Sequence, residues 1–274
     1  MKMQQSFRRA GLGATRPEAK AWKPFVLPSA GDEEKLLELF TVADHAGRLG
    51  VLSAGLMRAN LPETIRVGVM ALLKKREGAE EQRNDCIGDV LRNGPPETVA
   101  FMVSKATREK RWDVLGLAAE ACEGNVRSLA LKPFERISVG DISEAIRAGN
   151  VYALSAIHRF SPPSARATLL NEAEVAASSN KGHSSNAAAH FLGEAKEFGR
   201  LLGATASGNN IVSARAKNAV RRFAAERDVQ VARAARDARA LEAISLYGGA
   251  PELRASAKEA LERLGENGQG AERK

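Results

Sequence analysis

The residue types that most often carry chemistry are thinly spread in this chain. There are four histidines, His45, His158, His183 and His190. His183 and His190 are seven apart, and Glu194 follows His190 by four. A His–Glu pair at that spacing on a helix can hold zinc, but two ligands do not complete a site. These histidines are therefore expected on surfaces or in packing. Cys86 and Cys122 lie in apolar stretches, away from any CxxC pattern or histidine, and read as two small packed side chains in a reducing compartment. No GxSxG, GxxxxGK[ST], HExxH or calcium-loop pattern occurs. Gly11-Leu12-Gly13 has no strand before it to form a phosphate cradle. The carboxylate pairs Glu33–Glu34 and Glu80–Glu81 sit beside Lys or Arg, as on a solvated helix face. The expectation is a protein with no cofactor, no metal and no catalytic set, acting by binding.

Charge gives the candidate binding residues. The net charge is +8, unevenly placed. Residues 1–31 hold six basic side chains against Glu18 alone, a net of +5. Residues 215–239 hold eight basic against three acidic, again +5, so the remainder sums to −2. The candidate phosphate- or partner-binding residues are Arg215, Lys217, Arg221, Arg222, Arg233 and Arg236. Arginine suits them to that role, because its planar fork engages phosphate or carboxylate with two parallel hydrogen bonds. Arg215 and Arg222 are seven apart and Arg233 and Arg236 three apart, spacings that share a helix face. Glu226 stands four after Arg222 and Asp237 four after Arg233, so intrahelical ion pairs are expected to neutralise part of that face.

The elements that must position these residues are helical. Aromatics make up 5% of the chain and alanine supplies much of its apolar content, which suits close helix packing and not a β-sandwich. From Asp32 onward, apolar residues recur at helical spacing, as in Leu36, Leu37, Phe40 and Ala43. Turn signals separate stretches of helix length: Pro62, then Asn93–Pro96, Ser161–Pro163 and Gly248–Pro251. Asp141 and Glu144 have the spacing of a capping box. Residues 124–140 read as a short strand or irregular connector, and 178–185 as a loop. The domain reading is a basic tail over 1–31, a helical domain over 32–265 and a frayed end over 266–274. The tail is broken by Pro17, Pro24 and Pro28, and its apolar patch of Trp22, Phe25, Val26 and Leu27 is expected at most to strap onto the body. No run approaches the length of a membrane span and no apolar leader opens the chain, so a cytoplasmic protein with no membrane partner is expected.

One pattern repeats. Alanines three apart are followed by a larger apolar residue and then, three further on, by Phe or Leu. The copies are Ala153, Ala156, Ile157, Phe160; Ala216, Ala219, Val220, Phe223; and Ala257, Ala260, Leu261, Leu264, with looser versions at Leu115, Ala118, Ala119, Cys122 and at Gly68, Ala71, Leu72. From Leu241 to Gly265 a short helix, a Gly turn, a Pro-Glu-Leu-Arg step and a second helix carry this stripe, and Asp141 to Phe160 follows the same plan. This arrangement resembles the HEAT-repeat and armadillo-like α-solenoids. The resemblance implies an all-α fold of stacked antiparallel helix pairs with an extended surface for protein or nucleic acid. The stripes begin at 115, 153, 216 and 257, not at a constant period, which keeps a compact non-repetitive helical bundle as the alternative.

Trp112 and Asp113, preceded by Lys105, Arg108, Lys110 and Arg111, are superficially similar to the cleft of HEAT-like DNA alkylation-repair glycosylases. Trp112 also opens the apolar helix WDVLGLAAEA, where it would pack as a core residue. The function expected is a non-catalytic helical-repeat scaffold for another protein. The alternative is a nucleic-acid-associated protein that uses residues 215–239 and the basic tail.

Overall fold

The computed structural model describes residues 33–45, 49–57, 61–73 and 80–271. The basic tail over 1–31, with Trp22 and Phe25, lies outside them. The described residues form sixteen α-helices and no strand. In chain order these are α1 (Glu33–His45), α2 (Leu49–Leu56), α3 (Glu63–Leu73), α4 (Glu80–Asn93), α5 (Pro96–Arg108), α6 (Trp112–Ala121), α7 (Gly124–Glu135) and α8 (Val139–Ala148). They continue as α9 (Val151–Phe160), α10 (Pro163–Ala177), α11 (Gly182–Glu194), α12 (Phe198–Thr205), α13 (Asn210–Phe223), α14 (Glu226–Ala234), α15 (Ala238–Tyr247) and α16 (Pro251–Ala271). None is long and apolar enough to cross a membrane.

Local chemistry sets the boundaries. Prolines open α5, α10 and α16, where the missing N–H costs nothing. Asn150, Asn209 and Asp237 cap α9, α13 and α15 by accepting backbone N–H groups. The capping box at α8 sits three residues earlier than its sequence suggests. Ser138 Oγ accepts from Asp141 N, and Asp141 Oδ2 accepts from Ser138 N at 3.0 Å. Asp141 is thus the far member of the box and not its cap. The segment expected as a strand or connector is α7, which carries Pro133 in its last turn and buries Ala130 and Phe134. The polar stretch expected as a loop over 178–185 is helical from Gly182.

Three turns share one construction. Lys110, Lys196 and Arg236 each take a left-handed backbone conformation, with φ of 51°, 68° and 54°. In each, the next residue's N–H reaches back five residues: Arg111 to Ala106 O, Glu197 to Leu192 O and Asp237 to Ala232 O. This is the Schellman closure, here built on a basic residue where glycine is usual. The first two cations also tie neighbouring turns together. Lys110 Nζ lies 2.6 Å from Asp141 Oδ1. Lys196 Nζ donates to the Phe223 carbonyl at 2.5 Å and to Asp228 Oδ2 at 3.1 Å. Asp228 accepts the Ala225 N–H at the start of α14, as Asp141 accepts that of Ser138 at the start of α8.

The helices stack in two rows. In one, α2 packs on α4, α4 on α6, α6 on α9, α9 on α11, α11 on α13 and α13 on α15. The other is made of separate groups, α1 on α3, α5 on α7, α8 on α10 and α10 on α12, and α14 on α16, and α12 also packs closely on α15. Cross-contacts such as α5 to α6, α8 to α9, α10 to α11, α12 to α13 and α14 to α15 join the rows. This all-α arrangement is compatible with a helical-repeat fold.

The repeated stripe is its core face. Ala153, Ala156, Ile157, Ala216, Ala219, Val220, Ala257 and Ala260 are buried, and Phe160, Phe223, Leu261 and Leu264 pack against the core. The small residues set the approach of successive helices. A Cβ added to Gly116 of α6 would lie 2.5 Å from Ala156 Cβ of α9, and one added to Gly193 of α11 would lie 3.2 Å from Ala219 Cβ of α13.

Candidate functional site

The candidate arginines are held on α13 by firm anchors. Asn209 Oδ1 accepts from Ile211 N and Val212 N at 3.0 and 3.3 Å, which fixes the start of the helix. The buried Ser213 donates its hydroxyl to Thr205 O of α12 at 2.6 Å. Val212, Ala216, Ala219 and Val220 face inward. At 100° per residue, this leaves Ile211, Ala214, Asn218, Arg221 and Arg222 on the open face, with Arg215 half-buried at its edge. Arg215 and Arg222 are aligned to within about 20° and stand about 10 Å apart along the axis.

Each of these cations has a distinct setting. The Arg215 Nη1 atom is buried with no hydrogen-bond partner. The Arg222 guanidinium lies over the Phe223 ring at 5.3 Å. On the far side of the helix, the Lys217 Nζ lies over the Tyr247 ring of α15, also at 5.3 Å. The backbone carbonyl of Arg221 abuts Gly249, where an added Cβ would sit 2.8 Å from it.

The candidate set is divided between two helices and a turn. Arg233 and Arg236 are exposed on α14 and the turn after it, and α14 packs on α15 and α16 in the other row. Arg215, Arg221 and Arg222 share the open face of α13, and Lys217 turns toward α15.

The expected neutralising pairs are also absent, because both straddle a helix end. Arg222 is in α13 and Glu226 opens α14; Arg233 is in α14 and Asp237 precedes α15. The four-residue spacing brings side chains together only along one continuous helix. Glu226 instead accepts the Ser256 hydroxyl at 2.9 Å, and Asp237 caps α15 through Ala240 N at 2.9 Å. Among the described residues, none of Arg215, Arg221, Arg222, Arg233 and Arg236 pairs with a carboxylate. On α9 and α11 of the same row, some charged and polar groups are matched. Arg159 of α9 pairs with Glu120 of α6, and Ser155 of α9 donates to Glu194 of α11 at 3.2 Å.

The histidines serve packing. His190 meets the Phe223 ring edge-on at 4.8 Å, and His158 meets Phe191 at 5.7 Å. Burial lowers the pKa of His190; Arg222 adds to this and Glu194 opposes it. Burial likewise lowers that of His158, with Glu197 opposing and Arg166 adding. His183 shares α11 with His190 but covers Gly149 at the end of α8. Among the described residues, no three His, Cys, Asp or Glu side chains converge as metal ligands.

The cleft beside Trp112 and Asp113 is lined by Lys110, Arg111, Glu144 and Asn150, with Ala145 and Ala153 also on its wall. Trp112 contributes mainly to the core, where its ring meets Phe134 at 5.2 Å and Phe134 in turn meets Phe160 at 5.5 Å. Asp113 is buried and accepts from Arg111 Nε and Nη2 at 2.9 and 2.7 Å. Burial works against the Arg111 charge, but Asp113 outweighs it and raises the guanidinium pKa. A carboxylate committed to that bidentate pair, beside a tryptophan built into the core, is not arranged as a base-binding cleft. Charge does not single out Ile211 and Asn218, although both stand three or four residues from Arg215 on the helix. The closeness of His190 to Arg222 needs the α11–α13 packing.

No protein-family model, curated protein or solved structure matches this chain.

Proposed function

We propose that this chain is a HEAT- or armadillo-like helical-repeat scaffold that holds a partner protein and carries out no chemistry of its own. The observation that carries this reading is the α13 face, where Arg215, Arg221 and Arg222 stand without a carboxylate while the neighbouring α9 and α11 positions are matched. A partner supplying acidic groups there would complete it, and bidentate guanidinium contacts are among the stronger polar interactions available. The repeated stripe supports the family resemblance, because the same small residues set helix spacing at α6–α9 and α11–α13.

The test is a quantitative pull-down with the full chain and an Arg215→Glu/Arg222→Glu variant of matched helicity, after nuclease treatment. A specific protein retained by the wild type and depleted by the variant is expected. Retention of no protein by either would end the scaffold reading.

Nucleic acid is the second reading, favoured by the same unpaired guanidiniums. Three arginines on one face would give a slope of log affinity against log salt of roughly −3 on duplex DNA. A titration at two salt concentrations reads that slope directly, and a flat response counts against it.

A further inference from the structure

We infer that the α13 surface bearing Ile211, Arg215, Asn218 and Arg222 receives an acidic segment of a partner protein with apolar residues interleaved among its carboxylates. This rests on the scaffold reading and specifies its occupant. Three features of the surface select that chemistry. First, Arg215 and Arg222 lie on one line about 10 Å apart, a span covered by roughly three residues of extended chain. Two carboxylates at that separation would meet the exposed Arg222 guanidinium and the accessible side of the half-buried Arg215, whose Nη1 atom itself is buried. Second, Ile211 lies one helical turn before Arg215 and is 55% exposed, so the line of cations opens onto an apolar side chain. Asn218, exposed between the two arginines, offers an amide to the partner's backbone.

Third, the surroundings disfavour a nucleic acid strand. Continuous basic tracks follow a phosphate backbone, and exposed aromatic rings stack unpaired bases. Here the unpaired cations do not continue along the row: Glu194 of α11 accepts from Ser155 of α9, and Arg159 of α9 is taken up by Glu120. The two nearby rings are already covered, Phe223 by Arg222 and Tyr247 by Lys217. A short charged face edged by an aliphatic side chain matches a mixed acidic and apolar peptide better than sugar and phosphate.

The test uses the full chain and a fluorescein-labelled synthetic peptide of repeated Glu-Glu-Leu units, read by fluorescence anisotropy. A Gln-Gln-Leu peptide and a labelled oligothymidylate serve as comparisons. The acidic peptide should bind, weaken as sodium chloride is raised, and lose at least about tenfold in affinity with Arg215→Glu/Arg222→Glu. Arg215 is half-buried, so Arg222→Glu/Asn218→Glu, which alters only exposed positions, provides a second variant should the first fail to fold. Arg263→Glu on α16 should leave binding unchanged. Absence of peptide binding at low salt, or equal binding by both variants, overturns the proposal. Tighter binding of oligothymidylate, lost in the same variants, overturns it in favour of phosphate. Photo-crosslinking residues placed at Asn218 and at Val175 of α10, which is 71% exposed, separate this failure from that of the scaffold reading. Partner adducts from Val175 but none from Asn218 overturn the α13 assignment alone, and adducts from neither overturn both.

Discussion

Gly116 of α6 sits directly under Ala156 of α9, so close that a methyl group on the glycine would stand 2.5 Å from the alanine Cβ. Gly193 of α11 holds the same place under Ala219 of α13, with the Phe223 ring 2.7 Å from its absent methyl group. The two contacts fall at equivalent points of the repeated stripe, so each helix uses its second alanine to approach a glycine on the helix before it. Interiors are packed too tightly to absorb an added carbon at such points.

Filling either contact should therefore destabilise the fold. Ala156→Leu and Ala219→Leu are expected to cost roughly 1–3 kcal/mol each by overpacking, and Ala260→Leu on α16 a similar amount. Gly116→Ala should also destabilise, and adding Ala156→Gly should recover much of that loss by moving the methyl group to the other partner. Denaturant unfolding measures each. An unchanged midpoint in all three leucine variants would show that the stripe is not where the helices meet.

The three basic residues with positive φ should respond differently to glycine. Arg236 has no ion-pair partner among the described residues, so Arg236→Gly relieves left-handed backbone strain of about 1 kcal/mol, set against the greater freedom of the unfolded chain. Its melting temperature should stay level or rise. Lys196→Gly also removes the donor to Phe223 O and Asp228, and Lys110→Gly the pair with Asp141. Both should melt lower than Arg236→Gly. The reverse ranking would mean that these cross-turn contacts contribute nothing.

The box at α8 gives a graded expectation. Ser138→Ala removes one cap bond and should cost about 1 kcal/mol. Asp141→Ala should cost more, since its carboxylate serves Ser138 and Lys110 together. Burial opposes the Asp141 charge, but hydrogen bonds from Lys110 and Ser138 prevail and hold its pKa below 3.8. Its contribution is complete above that value and is lost as pH falls through the folded pKa. Acid titration of stability should thus be shallower in Asp141→Asn than in the wild type.

His158 and His190 should make the protein sensitive to mild acid. Both have pKa values below 6.5 in the fold, chiefly through burial, so the unfolded chain takes up protons first. Stability is fully present above pH 6.5 and declines as pH falls below that value toward the folded pKa values. Melting temperatures across this range should fall less in His158→Gln/His190→Gln than in the wild type. Identical slopes would remove the two histidines as the cause.

The helical class, the turn positions and the inward face were legible in the residues alone. Those features depend on local quantities: periodicity of apolar residues, prolines at helix starts, and small residues at three- and four-residue offsets. The same local rules misplaced the α8 cap and missed α7, where a proline in the last turn and a mixed polar sequence hid a helix anchored by Phe134. For the candidate residues, spacing alone placed Arg215 and Arg222 on one face but also implied ion pairs that the structure does not form. Arg215 and Arg222 stay on one face because α13 is continuous between them. Arg222 and Glu226, or Arg233 and Asp237, are as close in sequence as helical neighbours, but the chain turns between them. Whether a cation meets an acid, a ring or solvent depends on which helices lie alongside. That depends on contacts far apart in the chain, the packing of α11 on α13 and α13 on α15, with α14 set against α15 and α16.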